Sequence, residues 1–80
     1  MKSIVIYSRD GCHLCDVMIE ELLPLIRDRL DLVVQDVDSR HEWYEKYDTR
    51  VPVMEYDGEV ICQYHLDREA LSRILSKLPT

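Results

Sequence analysis

Apolar residues follow two different periods along the chain, and the switches between them divide it into elements. Ser3-Ile4-Val5-Ile6-Tyr7 is a short apolar run closed by the turn-forming stretch Ser8-Arg9-Asp10-Gly11, which predicts a first strand. From Leu14 the period lengthens. Leu14, Val17, Met18, Leu22, Leu25 and Ile26 share one helical face, with Asp16, Glu20, Glu21, Arg27 and Asp28 mostly opposite. That spacing predicts a core-facing helix of about four turns. Pro24 lies inside it and removes a hydrogen bond at a cost of roughly 3 kcal/mol, which predicts a kink or a helix that stops at Leu23 and restarts.

The run Leu30 to Val37 returns to a strand pattern, and the strand, helix, strand order implies a right-handed parallel crossover with the two strands side by side. Ser39 to Tyr47 reads as a short polar helix carrying Trp43, Tyr44 and Tyr47, ended by Asp48-Thr49-Arg50. Pro52 to Tyr56 and Glu59 to Gln63 flank Asp57-Gly58, the dipeptide that most strongly signals a hairpin. Asp67 then caps a last helix whose apolar face is Ala70, Leu71, Ile74, Leu75 and Leu78. The order βαβ-α-ββα predicts an α/β fold, with one four-stranded mixed sheet and helices on both faces. No repeat, linker or low-complexity segment interrupts it, so residues 1–80 are expected to form a single domain.

Length and charge narrow the function classes. Eighty residues support only a small core, near the size at which stability is marginal. No apolar run approaches a membrane span, and Met1-Lys2-Ser3 leads straight into a strand rather than a signal peptide, so a cytoplasmic protein without membrane contact is expected. A net charge of −6 with no basic stripe argues against nucleic acid as a partner. Three cysteines, an odd number, argue against a structural disulfide framework and for redox or metal use of the thiols.

The candidate chemistry is Cys12-His13-Leu14-Cys15, at a strand-to-helix junction. Residues three apart on a helix hold their Cβ atoms about 5 to 6 Å apart, slightly wider than the roughly 3.5 to 4.5 Å of a disulfide. A bridge there can close and remains easy to reduce. Cys12 would sit at the helix N-terminus, where unpaired N–H groups favour a thiolate, and Cys15 one turn deeper has less access to solvent. Cys12 is therefore expected to attack and Cys15 to resolve. His13, if protonated, would tune the thiolate, whereas Asp10 and Asp16 oppose it; a solvated neutral His13 is the plainer reading.

With these elements in place, the chain resembles a glutaredoxin-like protein of the thioredoxin fold over nearly its whole length. The carrying residues are Tyr7 to Cys15, Val51-Pro52-Val53, the Asp57-Gly58 hairpin and Asp67. It is most similar to small bacterial glutaredoxin-like proteins whose motif reads Cys-His-Leu-Cys. The resemblance implies a thiol-disulfide oxidoreductase without a bound cofactor, acting as a monomer on protein or small-molecule thiols and disulfides. It also implies a cis Val51-Pro52 bond, with Arg9, His13, Leu14, Val51 and Pro52 around the bound substrate. The Val51 N–H and C=O could then pair with an extended peptide as an added strand.

Two departures bear on glutathione. Glutaredoxins that use it carry a Gly-Gly pair after the fourth strand, where this chain has Cys62-Gln63. Arg9 matches the basic residue that meets the glycyl carboxylate of glutathione, so glutathione is expected as a weak co-substrate at most. Compared with thioredoxin itself, Gly11 replaces the tryptophan before the motif, and Ile6 stands where a buried aspartate is kept. A second function class remains open: Cys12, Cys15, Cys62 and His65 have the ligand types of a zinc or carrier site. The alternative for Cys62 is a buried structural residue. Trp43 and Tyr47 are either an aromatic substrate rim or packing of the short helix on the sheet.

Overall fold

In a computed structural model, described for residues 2–47 and 49–78, the chain follows the expected element order. Met1 and Asp48, read from the sequence as the lead-in to the first strand and the start of the stop after the short helix, lie outside the described residues. The strands are β1 (Ser3–Ser8), β2 (Asp31–Asp36), β3 (Val53–Tyr56) and β4 (Glu59–Gln63). The helices are α1 (His13–Ile26), α2 (His41–Tyr47) and α3 (Arg68–Ser76), with a 3₁₀ turn at Val37–Ser39. Among the described residues they form one sheet of order β2-β1-β3-β4. β1 runs parallel to β2 and antiparallel to β3, and β4 is antiparallel to β3, so the sheet is mixed as expected.

The pleat sends alternate side chains of β1 to opposite faces. Ile4 and Ile6 are fully buried on one face with Met18, Leu22 and Ile26 of α1, Met54 of β3 and Leu71 of α3. Tyr7 and Val53 pack on the other face with Val37 and Tyr47, joined by Val5, Val51 and Trp43. Helices therefore cover both faces of the sheet: α1 and α3 on one, α2 on the other. The Tyr7 ring stacks on Tyr47 at 4.5 Å and meets the Trp43 edge at 5.4 Å. Tyr47 is 2% exposed, so it is part of this core, and Trp43 packs beside it. The hydroxyls of Tyr7 and Tyr47 both donate to the half-buried Glu55 carboxylate, at 3.4 and 3.2 Å. Burial, reinforced by the Glu55 charge, pushes the Tyr7 phenol above its ordinary pKa.

Three local expectations change. Helix α1 does not stop at Leu23: it runs across Pro24 to Ile26. Pro24 sits on the exposed face of the last turn, and the buried Leu22 and Ile26 still anchor that turn. The buried stripe of α1 is Cys15, Met18, Leu22 and Ile26 with Ile19 beside it, while Leu14 and Leu25 lie at its exposed margin. Finally, β2 is shorter than its apolar run. Leu30 is buried before the strand begins, and Val37 is buried in the 3₁₀ turn, where the Asp36 carboxylate accepts the Asp38 N–H at 2.9 Å.

The hairpin turns through Asp57 (φ 54°) and Gly58 (φ 83°), the two positive values that the favoured two-residue turn requires. Asp67 caps α3 by accepting the Ala70 N–H at 3.0 Å. No helix among the described residues is long and apolar enough to cross a membrane.

Candidate active site

Strand β1 ends at Ser8, and the chain turns through Gly11, whose φ of 75° is readily reached only without a side chain. Cys12 is then the N-cap of α1, with extended backbone geometry and its own N–H bonded to the Arg9 carbonyl at 3.2 Å. Its Sγ takes the place of a capping oxygen and accepts the Cys15 N–H at 3.1 Å. Cys12 and Cys15 are joined as a disulfide with their Cα atoms 5.2 Å apart. The two sulfurs differ in access: Cys15 is 2% exposed and belongs to the buried stripe of α1, whereas Cys12 is half-buried at the surface. In the reduced state an N–H aimed at the Cys12 sulfur favours its thiolate over the thiol.

The start of β3 lies at this same end of the sheet, because Tyr7 pairs with Val53. The Val51-Pro52 bond is cis. Pro52 itself is fully buried, and its carbonyl accepts the Tyr64 N–H at 2.9 Å, so it offers no ring surface to a bound molecule. Val51 is half-buried, and its backbone N–H and C=O make no hydrogen bond among the described residues. His13 and Leu14 are exposed on the first turn of α1, Leu14 with 38% of its surface in solvent.

Arg9 stands differently from the sequence expectation of a side chain awaiting a carboxylate. Its Nε and Nη2 donate to the two carboxylate oxygens of Asp38, at 3.2 and 3.1 Å, and its guanidinium lies 5.7 Å from the Tyr44 ring centre. The bidentate geometry already satisfies a carboxylate-binding fork from within the chain. Sequence gave no signal for this pair, since the partners are 29 residues apart in different elements.

Cys62 and Gln63 are the last residues of β4 rather than a loop beyond it; the first residue after the strand is Tyr64, with φ 68°. Cys62 pairs with Met54 in the hairpin and its thiol contacts the Met54 sulfur at 4.0 Å. Burial pushes the Cys62 thiol above its ordinary pKa. The Gln63 side-chain oxygen accepts Arg50 Nε at 3.2 Å. Among the described residues no three His, Cys, Asp or Glu side chains cluster as metal ligands, so the set Cys12, Cys15, Cys62 and His65 is not assembled.

These differences predict the order of thiol reactivity. After reduction, alkylation at neutral pH should label Cys12 first, because it combines access with the helix N-terminus. Cys15 is shielded, and Cys62 is held in its less reactive protonated form. Peptide mapping of a short alkylation time course reads this out, and faster labelling of Cys15 would reverse the order.

The sequence model of the Glutaredoxin-like domain (DUF836) matches residues 3–76. A protein from Nitrosomonas europaea, solved by NMR in solution, superposes with a TM-score of 0.83 at 32% identity, over 91% of this chain and 89% of that one. A protein from X. campestris solved by X-ray diffraction gives 0.71 at 28% identity, over 96% of this chain and 100% of its own. Fasciola hepatica thioredoxin gives 0.58 at 20% identity, over 95% of this chain and 79% of its own, a likeness of fold alone. The architecture is thus the thioredoxin-like α/β fold.

Proposed function

This chain belongs to the glutaredoxin-like (DUF836) family, and from that premise we propose that it is a thiol-disulfide oxidoreductase cycling Cys12 and Cys15 between dithiol and disulfide. The observation that carries the reading is the Cys12–Cys15 pair itself, with one sulfur accessible at a helix N-cap and the other buried one turn below. In the reducing direction the Cys12 thiolate attacks one sulfur of a substrate disulfide and expels the other as a thiolate. The Cys15 thiolate then attacks Cys12 in the mixed disulfide, releasing the second substrate thiol. Two electrons pass from the protein to the substrate, and the leaving thiolates take up protons from water. Leu14 and the Val51 backbone offer an apolar contact and strand-type hydrogen bonds beside Cys12 for an extended substrate. Protein or small-molecule disulfides in the cytoplasm are the proposed partners.

Glutathione is a poor co-substrate in this reading. Arg9 must give up its bidentate bond to Asp38 before meeting a second carboxylate, and an exposed ion pair contributes only about 0 to 1 kcal/mol. By the sequence resemblance Cys62 and Gln63 stand for the Gly-Gly pair of glutathione-using glutaredoxins; here they end β4, and the Gln63 side chain is tied to Arg50. The backbone hydrogen bonds forgone there are each worth about 0.5 to 1.5 kcal/mol. Turnover of a glutathionylated substrate should therefore be slow, and Cys62→Gly with Gln63→Gly should raise it, provided the strand tolerates the added flexibility. The discriminating experiment compares that turnover with reduction by a thioredoxin-reductase system. Efficient glutathione-dependent turnover by the unaltered chain would overturn the weak-glutathione part of the proposal.

A further inference from the structure

Tyr64 holds a backbone conformation that its side chain does not favour. Its φ is 68°, in the left-handed region. Asp28 and Asp57 also lie there, but aspartate tolerates that region and a bulky ring does not. The Gln63 carbonyl accepts the His65 N–H at 2.7 Å, so Tyr64 is the centre of a three-residue turn in its rare, strained form with positive φ. Packing does not offset this, because Tyr64 is 42% exposed and joins neither apolar core. Two directed bonds do: its N–H donates to the Pro52 carbonyl at 2.9 Å, and its hydroxyl donates to the Thr49 carbonyl at 3.1 Å. Beside it Gln63 holds Arg50 Nε at 3.2 Å, and the Arg50 N–H donates to the Tyr47 carbonyl at 2.9 Å. The chain is thus fixed at Thr49, Arg50 and Pro52, on both sides of Val51, whose own N–H and C=O make no hydrogen bond among the described residues.

We propose that Tyr64 is a positioning residue for peptide disulfides: through Thr49 and Pro52 it sets the Val51 backbone in place to pair with an extended substrate. Its role rests on the oxidoreductase reading above and on strand pairing at Val51. An added strand gains its affinity from main-chain hydrogen bonds, and these are worth most where donor and acceptor are already oriented. Left untied, residues 49–52 would have to be ordered at each binding event, which weakens the hold on a peptide without touching the sulfur exchange. Strain kept at one residue by its bonds to a binding segment is how such order is maintained. Tyr64 takes no part in the sulfur chemistry.

The test uses protein reduced and then freed of reductant, so that Cys12 and Cys15 supply the two electrons in a single turnover. Three disulfides are compared. The first is a linear peptide whose single cysteine is linked to 2-mercaptoethanol, and the second is the same peptide N-methylated at the backbone amides on either side of that cysteine. The third is bis(2-hydroxyethyl) disulfide, which has no peptide group. With the unaltered chain, N-methylation should raise the half-saturating peptide concentration on the order of 5-fold, the loss of one backbone hydrogen bond. Tyr64→Phe keeps the ring and the bond to Pro52 and removes only the bond to Thr49. It should raise the half-saturating concentration of the unmethylated peptide several-fold, lower the peptide rate relative to the small-disulfide rate, and shrink the effect of N-methylation to less than about 2-fold. Tyr64→Gly takes the left-handed φ freely and keeps the N–H, and it should show the same loss although the strain is gone. An undiminished effect of N-methylation in these variants, or an equal loss on peptide and small disulfide, would overturn the role of Tyr64. If N-methylation has no effect on the unaltered chain, there is no pairing at Val51 for Tyr64 to support. If that chain does not reduce even the small disulfide, the oxidoreductase reading itself has failed, and the role of Tyr64 with it.

Discussion

Cys12→Ser should leave a folded chain in which disulfide exchange has fallen to the uncatalysed background. Serine is among the preferred N-cap residues and can accept the Cys15 N–H as the Cys12 sulfur does, so the helix start is preserved while the nucleophile is lost. The loss then reports chemistry rather than unfolding, and circular dichroism of the variant separates the two. Cys15→Ser has a different expected outcome. The accessible Cys12 still attacks, but no second thiol can release the product, so a mixed disulfide between Cys12 and the substrate accumulates. Mass spectrometry of the non-reduced variant should show one substrate equivalent attached at Cys12. Full dithiol turnover by both variants would mean that the sulfurs do not play these roles.

The largest stability effect is expected from Leu22→Ala. Leu22 is 0% exposed at the contact of α1 with Ile4, Ile6 and Met54 of the sheet. Truncating a buried leucine costs about 2 to 5 kcal/mol in lost transfer energy and residual cavity. Domains of this kind are stable by only about 5 to 15 kcal/mol, so the melting temperature should fall on the order of 10 to 30 °C. The neighbouring Leu23 is 48% exposed, and Leu23→Ala should change stability by no more than about 0.5 kcal/mol. Thermal melts of the two variants side by side check the rotation of α1 on the sheet. Equal losses would contradict the burial of one face described above.

That rotation is also where the sequence pattern fell short. The existence of α1 and its core-facing side were legible, because Met18, Leu22 and Ile26 recur at helical spacing. The edges of the face were not: α1 is apolar over a wider arc than the sheet covers, so Leu14 and Leu25 looked equivalent to Met18 and were left at the margin. Cys15 and Ile19 fill the stripe instead; the motif implies a shielded Cys15 one turn below Cys12, but the apolar pattern does not place it on the core-facing stripe. The hairpin was legible to the residue, since Asp57-Gly58 meets a turn that needs two positive φ angles. The irregularity between Met54 and Glu55 carried no such mark. Nor does any local pattern mark Glu55, on which two tyrosine hydroxyls, from β1 and α2, converge.

At the candidate site, the Cys12–Cys15 pair was legible because strand, turn and helix signals lie within a dozen consecutive residues. The state of Arg9 was not, because Asp38 reaches it from the 3₁₀ turn after β2, and no local spacing links the two. The possible metal set failed for a related reason. Cys62 and His65 match zinc ligands in type and spacing, but the hairpin register sets the Cys62 sulfur against Met54. Contacts made by topology between distant segments are those that composition and period do not encode.

The central claim is that Cys12 and Cys15 are one two-electron couple open to exchange. It is tested most directly by mixing reduced, reductant-free protein with a peptide disulfide and counting thiols. The account predicts that one peptide disulfide is reduced per protein molecule, yielding two peptide thiols, while the protein loses two hydrogen masses that map to a Cys12–Cys15 bridge with Cys62 still a thiol. No transfer at all, or a bridge or adduct located at Cys62 instead, would contradict it.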